Sequence, residues 1–173
     1  EPNKAEIIVA EGNFHGRTTT IISFSSEPNS KDDFGPHTPG FISVEFGSTK
    51  AVEDAITDNT AAVLFEPVQG EGGIIEPPQN WLSDVRNICD KNNVLMILDE
   101  VQSGLGRTGK LFAFEHANIR PDGLILGKAL GGGFMPVSVF LSSKDVLQWM
   151  NPGSHGSTFG GNPLGSAIAK RSL

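Results

Sequence analysis

The sequence predicts an α/β domain built on a mostly parallel sheet with crossover helices, and three observations carry that prediction. Short apolar runs of strand length alternate with helical patterns. Several of those runs are apolar almost throughout, as expected of strands covered on both faces. The residues that follow the runs are polar and rich in glycine, the composition of loops that approach a ligand beyond the carboxyl ends of a parallel sheet.

In chain order, the strands are expected at Glu6 to Ala10, Phe41 to Phe46, Ala61 to Phe65, Val94 to Leu98, Gly123 to Leu126 and Val137 to Leu141. Between the first two, the Pro-bearing stretch Ser25 to Gly40 reads as a long functional loop. Ser48 is placed to cap a helix carrying Ala51, Val52, Ala55 and Ile56 on one face. Trp81, Leu82, Val85, Ile88 and Cys89 form the apolar stripe of another helix. Lys144 to Met150 gives a shorter one. Pro163, after Asn162, fits the first turn of a last helix, where its missing N–H costs nothing.

The 173 residues, 38% hydrophobic and 19% charged, suit one globular domain or a piece of a larger one. The net charge of −7 and the lack of a basic run argue against a nucleic-acid partner. The single cysteine, Cys89, excludes an internal disulfide framework. No apolar run approaches the ~20 residues of a membrane-spanning helix, so a cytoplasmic protein is expected, with the mitochondrial matrix as the other setting. Because the chain opens on Glu1 and stops within a helical pattern, residues 1–173 are expected to be one partial domain. An amino-terminal segment and a carboxyl-terminal small domain are expected to lie outside it.

The strand ends hold the candidate chemistry. After the first run comes Gly12 to Thr18, after the third Glu66 to Gly73, after the fourth Asp99 to Gln102, and at the fifth Gly127 to Gly133. Lys128 directly continues the run Leu124-Ile125-Leu126, so its amine must either snorkel to water or work in a dry pocket. Burial would depress its pKa, as a Schiff-base amine requires. Asp99 ends an apolar strand, where a carboxylate can cap a helix, bind a metal or hold a cationic ring nitrogen. An acid and a lysine on two strands of one sheet together suggest pyridoxal 5'-phosphate, whose aldehyde needs the lysine and whose pyridinium needs the acid. Phe14 and Val101 are candidates to stack on the two ring faces, with core packing as the competing role. Arg17 offers a fork suited to a carboxylate, with an ordinary surface arginine as the alternative, and His15 beside it is ambiguous.

Two other motifs compete. Gly104 to Gly109 fits the G-x-G-x-x-G dinucleotide pattern, but Asp99 and Glu100 lie between it and the preceding run and would repel a pyrophosphate. Gly127-Lys128 lacks the earlier glycine and the following Ser or Thr of a nucleotide phosphate loop. His15, His37, His116 and His155 show no metal-ligand spacing.

Taken together, Asn13 to Thr18, Glu66 to Gly73, Leu98 to Gln102, Gly106 to Gly109, Gly127 to Gly133 and His155 to Pro163 resemble the pyridoxal-phosphate aminotransferases that act on ω-amino groups, within the aspartate-aminotransferase-like fold. Phe34-Gly35-Pro36, Pro39-Gly40-Phe41 and Pro136-Val137-Ser138 bring the likeness nearest to the branch that acts on ornithine, with acetylornithine and 4-aminobutyrate as rival substrates.

The resemblance implies that Lys128 carries the covalent cofactor link and shuttles protons, that Asp99 pairs with the ring nitrogen, and that Gln102 bonds the ring hydroxyl. Phe14 and Val101 would sandwich the ring. Arg17, Glu66, Glu71 and His15 would serve substrate binding, with Glu71 resembling the acid that neutralises an arginine beyond Leu173. Ser157 and Thr158 would reach the cofactor phosphate of a neighbouring subunit, implying a homodimer with a shared active site. The implied reaction moves the δ-amino group of ornithine to 2-oxoglutarate, giving glutamate semialdehyde and glutamate. A truncated, catalytically inactive relative is the alternative of another kind.

Overall fold

The computed structural model describes residues 4–173; the first three residues of the expected domain lie outside the described residues. Six strands form one sheet: β1 (Glu6–Ala10), β2 (Phe41–Val44), β3 (Thr60–Phe65), β4 (Leu95–Asp99), β5 (Gly123–Leu126) and β6 (Val139–Ser142), in the order β2-β1-β3-β4-β5-β6. The first five are parallel, and β6 pairs antiparallel with β5. Helices α1 (Thr19–Ile22), α2 (Pro28–Lys31), α3 (Thr49–Ala55), α4 (Trp81–Asn92), α5 (Lys144–Leu147) and α6 (Pro163–Ser172) lie in the connections, and 3₁₀ turns span Ala113–Ala117 and Lys128–Gly131.

The pleat divides the apolar residues between two cores. Ile8, Ala10, Val63, Phe65, Met96, Leu98, Leu124 and Leu126 meet α3 and α4 on one face through Val52, Trp81, Val85, Ile88 and Cys89. The alternate residues Val9 and Leu64 meet Phe24 on the other, flanked by Ile7, Ile97 and Ile125. Each fully buried aliphatic side chain contributes ~1.5–3 kcal/mol. A one-residue slip of a strand would exchange the two sets, so the register is held by both cores.

Local sequence explains the helix ends. The Ser48 side chain accepts the Ala51 N–H at 3.2 Å, and Asn162 accepts the Gly165 N–H at 2.8 Å with Pro163 in the first turn. Helix α4 buries the expected stripe of Trp81, Leu82, Val85, Ile88 and Cys89 and closes on Asn93 in the left-handed region, φ 55°. In the connections between strands, three expectations need adjustment. Ile56 falls just outside α3, α5 stops at Leu147, and the stretch from Ser25 to Gly40 contains α2 rather than loop alone. No helix among the described residues is long and apolar enough to cross a membrane.

Candidate active site

Strand order sets the place of the site. The chain runs from β1 to the neighbour on one side and later, through β3, to the other. A crevice therefore opens between the β1 and β3 tips, and ligands of open α/β sheets bind at such a point. Glu66, 4% exposed, bridges it: its Oε2 accepts the Phe14 N–H at 3.0 Å and its Oε1 accepts the Gly70 N–H at 3.2 Å. Gln69, 2% exposed, ties the same two loops by donating to the Glu11 carbonyl at 2.7 Å. Asn13, buried, donates to the Ala10 and Phe24 carbonyls and closes the β1 loop on itself. Neither Gln69 nor Asn13 stood out in the sequence, because an amide inside a polar loop looks the same whether it is exposed or braced.

At the next tip, Asp99 is the last residue of β4 and is buried. Its Oδ1 accepts the Val101 N–H at 3.0 Å, and its Oδ2 lies 2.7 Å from His15 Nδ1. The His15 side chain is 2% exposed, and its Nε2 is buried without a hydrogen-bond partner. The ring packs 5.9 Å from Phe24. His15 thus sits against Asp99, where the residue pattern alone was ambiguous and the resemblance implied substrate binding.

Lys128 leaves β5 on the far side of Val101. The β4–β5 register pairs Asp99 with Ile125, so the acid and the amine emerge from adjacent strands. Gly127 leaves room for the Val101 side chain, since a Cβ there would lie 3.3 Å from both of its methyl groups. Lys128 itself has φ 43°, unusual for a residue other than glycine. Its side chain is 50% exposed and its Nζ lies 3.9 Å from Glu71 Oε1. Of the two alternatives the sequence left for this lysine, the structure takes the more solvated one: the amine opens onto a cleft and faces a carboxylate. Glu71 also accepts from Gln102 Nε2 at 3.4 Å. The Gln102 amide in turn occupies the space over Gly70, where a Cβ would come within 2.5 Å of its nitrogen.

Lys128, Val101, Gln102 and Gly70 line an open cleft of about 990 Å³ that extends towards Trp81 and His116. Phe14, His15, Arg17, Glu66 and Asp99 are not in its lining; they cluster at the β1, β3 and β4 tips and connect to it through the Val101 and Gly70 amides. Arg17 is exposed, with its guanidinium carbon 5.6 Å from the Phe14 ring centroid, a cation–π arrangement. Ser157 and Thr158 stand apart. Both are exposed in the turns before α6, and neither bonds to any residue of the cluster. The dinucleotide alternative fails on geometry: Gly104 to Gly109 forms turns, with no helix opening behind them to receive a phosphate.

Burial pushes the Glu66 carboxyl above its ordinary pKa, and the Asp99 charge adds to the push, while the Phe14 and Gly70 amides and His15 oppose it. The folded state thus holds the Glu66 proton more tightly than the unfolded chain does. Its contribution to stability is greatest at low pH and is lost as pH rises through the raised pKa. Glu66→Gln removes this titration. In the native protein, the stability of the Gln variant relative to wild type should therefore increase above about pH 4.3, by at most about 1.4 kcal/mol per pH unit. Urea unfolding at about pH 3.5 and about pH 7, on either side of the whole titration, reads the difference; a constant difference would contradict it.

Comparison with known proteins shows the family. The family described as aminotransferase class-III matches residues 1–173. Ornithine aminotransferase 2 of Staphylococcus saprophyticus is 56% identical over all of this chain, which spans 44% of that protein's length. Ornithine aminotransferase of Brevibacillus brevis is 55% identical over 96% of this chain and 42% of its own. Among solved structures, the Toxoplasma gondii ornithine aminotransferase superposes with a TM-score of 0.98 at 43% identity, over 99% of this chain and 41% of that one. A second structure of that enzyme has PLP at partial occupancy in its active site. The acetylornithine aminotransferase of Elizabethkingia anophelis gives 0.82 at 50% identity, over 98% and 41%.

Proposed function

Because this chain belongs to the class-III aminotransferases, whose cofactor is pyridoxal 5'-phosphate, we propose that it carries the cofactor chemistry of an enzyme moving the δ-amino group of ornithine to 2-oxoglutarate. Glutamate semialdehyde and glutamate are the products. One observation carries the reading. Asp99 and Lys128 leave adjacent parallel strands at one end of the sheet, with the Val101 side chain between β4 and β5.

The residues fit the cofactor by the chemistry of their donor set. A primary amine, a carboxylate braced by His15, a ring at Phe14 and a branched aliphatic side chain at Val101 surround the strand tips. When bound, the cofactor supplies an aldehyde that takes up amines and a cationic ring that withdraws electrons. Lys128 would hold the cofactor and, once displaced by the substrate amine, take the proton from the substrate δ-carbon at Nζ. Asp99 would keep the proton on the ring nitrogen, with His15 Nδ1 fixing the orientation of its carboxylate. Gln102 would bond the ring hydroxyl, and Phe14 and Val101 would exclude water from the ring faces. Arg17 would clamp the carboxylate of the 2-oxo acid. Glu66 would hold Phe14 and the Gly70 turn in place, and Glu71 would neutralise an arginine beyond Leu173 when an ω-amine substrate is bound. Ser157 and Thr158 would serve the cofactor phosphate of a second copy, because their exposure leaves them free to reach another chain.

A cytoplasmic, reducing setting suits Cys89, which is buried and has its thiol pushed up to about 11 by desolvation, leaving it inert. Acetylornithine is the second reading, supported by the likeness to the Elizabethkingia enzyme.

An absorbance scan of the native protein tests the function. Pyridoxal phosphate should give a visible band reducible by borohydride, ornithine should bleach it, and 2-oxoglutarate should restore it. Bleaching by acetylornithine and not by ornithine would transfer the assignment to the second reading.

A further inference from the structure

Glu100 is a buried acid, 1% exposed, that the chemistry above does not use. It follows Asp99, so the pleat turns the two side chains to opposite faces: Asp99 towards His15, and Glu100 towards the start of the 3₁₀ turn at Ala113–Ala117. The Glu100 Oε2 accepts the Ala113 N–H at 2.7 Å, and its Oε1 accepts the Phe114 N–H at 2.9 Å. Its backbone is equally occupied, since the Glu100 N–H donates to the Ile125 carbonyl at 2.9 Å and its carbonyl accepts the Gly104 N–H at 2.9 Å. A Cβ at Gly104 would fall 2.7 Å from that carbonyl oxygen, so the chain can turn back this tightly only at glycine.

These contacts describe one closure. Residues 101–112 leave β4, return to it at Gly104, and come back at Ala113 and Phe114, where a single carboxylate seals the neck. The same residue is held in the sheet by β5, the strand that leads through Gly127 to Lys128. Val101 and Gln102 are the first residues of the loop and line the cleft with Lys128. A compact surface loop with a packed neck is a common carrier of function.

We propose that Glu100 is a positioning residue of the transamination: by closing the neck of the 101–112 loop it fixes Val101 and Gln102 against the cofactor ring. The inference rests on the proposed function, since it concerns how that site is held. Glu100 acts only through these residues and touches neither substrate nor cofactor.

Glu100→Gln keeps the shape but leaves one oxygen for two backbone donors. In the native protein it should retain cofactor uptake while reducing the visible circular dichroism of the bound cofactor. It should also lower kcat by about 10- to 100-fold, the scale of a misplacement near 1 Å, with KM for the amino donor little changed. Ala113→Pro removes one donor from the other side, at a first-turn position where proline is accommodated and after a residue that is already extended. It should act in the same direction. Either variant, folded and with wild-type kcat and circular dichroism, would overturn the proposal.

Hydrogen exchange on the unmodified protein decides independently of any variant. The Ala113, Phe114 and Gly104 amides should open in one step with the same free energy, and cofactor saturation should slow all three together. Exchange of the Ala113 and Phe114 amides unaffected by the cofactor would count against a link between the neck and the site. A protein that takes up no pyridoxal phosphate would defeat the transaminase reading itself. Normal Lys128-dependent uptake with an unaltered Glu100→Gln signature would defeat only the role of Glu100.

Discussion

Lys128→Ala is expected to lower turnover in the native protein by about 10⁴-fold or more, because it removes both the covalent anchor and the group that carries the proton at the substrate carbon. The position has no substitute nearby. Among the described residues of the cleft lining, the other basic side chains are Arg107 and His116, and His116 Nε2 already faces the Thr108 carbonyl and hydroxyl. Two measurements check the expectation. Steady-state transfer from ornithine to 2-oxoglutarate should fall to the background rate, and borohydride should no longer fix cofactor to the protein. A small primary amine added in solution should restore part of the proton transfer, though not the covalent attachment. Near-normal turnover without Lys128 would refute the assignment.

The second large effect is expected at Asp99. Replacing it by Ala removes the acid that would keep the ring nitrogen protonated and leaves His15 Nδ1 buried without its 2.7 Å partner. The expected loss in kcat is about 10²- to 10³-fold, the range seen when one preorganised electrostatic group is deleted. Weakened cofactor retention should accompany it. Asp99→Asn separates the two contributions: the amide can keep a hydrogen bond on one side but cannot balance a cationic ring, so it should retain the fold and still lose most of kcat. Kinetic constants that match the wild type in both variants would remove Asp99 from the chemistry. His15→Ala gives a milder counterpart in the same assay, since it frees the Asp99 carboxylate to rotate without removing its charge.

These two residues show why the site was largely legible before the structure. A lysine and an aspartate at the ends of strongly apolar runs can be read as strand-tip residues, and parallel strands put their tips on one side of the sheet. The observed ends agree closely. β1 and β5 have the expected bounds, β3 starts one residue earlier, β4 is shifted one residue on, β2 is shorter because Glu45 and Phe46 leave the ladder, and β6 runs Val139–Ser142 rather than Val137–Leu141. The direction of β6 was not specified. Its side-chain pattern serves a parallel or an antiparallel neighbour alike, and residues 127–138 between the two strands are long enough for either return, so the direction is fixed only in the assembled sheet.

What the sequence determined by itself is what depends on local pattern. This includes the runs that become strands, the apolar stripe of α4, the cap at Ser48, the proline that opens α6, and the set of loops that carries the chemistry. The tertiary structure decided which groups within those loops meet. His15 finds Asp99 across 84 positions, Glu66 joins Phe14 to Gly70, and Glu100 reaches the Ala113 and Phe114 amides on the opposite face from its neighbour. The structure also opened Lys128 onto a half-exposed cleft, a choice the apolar run before it left open. The physical reason is common to all of these. Backbone propensity and hydrophobic period act over a few residues, whereas a hydrogen bond between two loops depends on strand order, register and the side of the pleat, which exist only once the sheet has assembled.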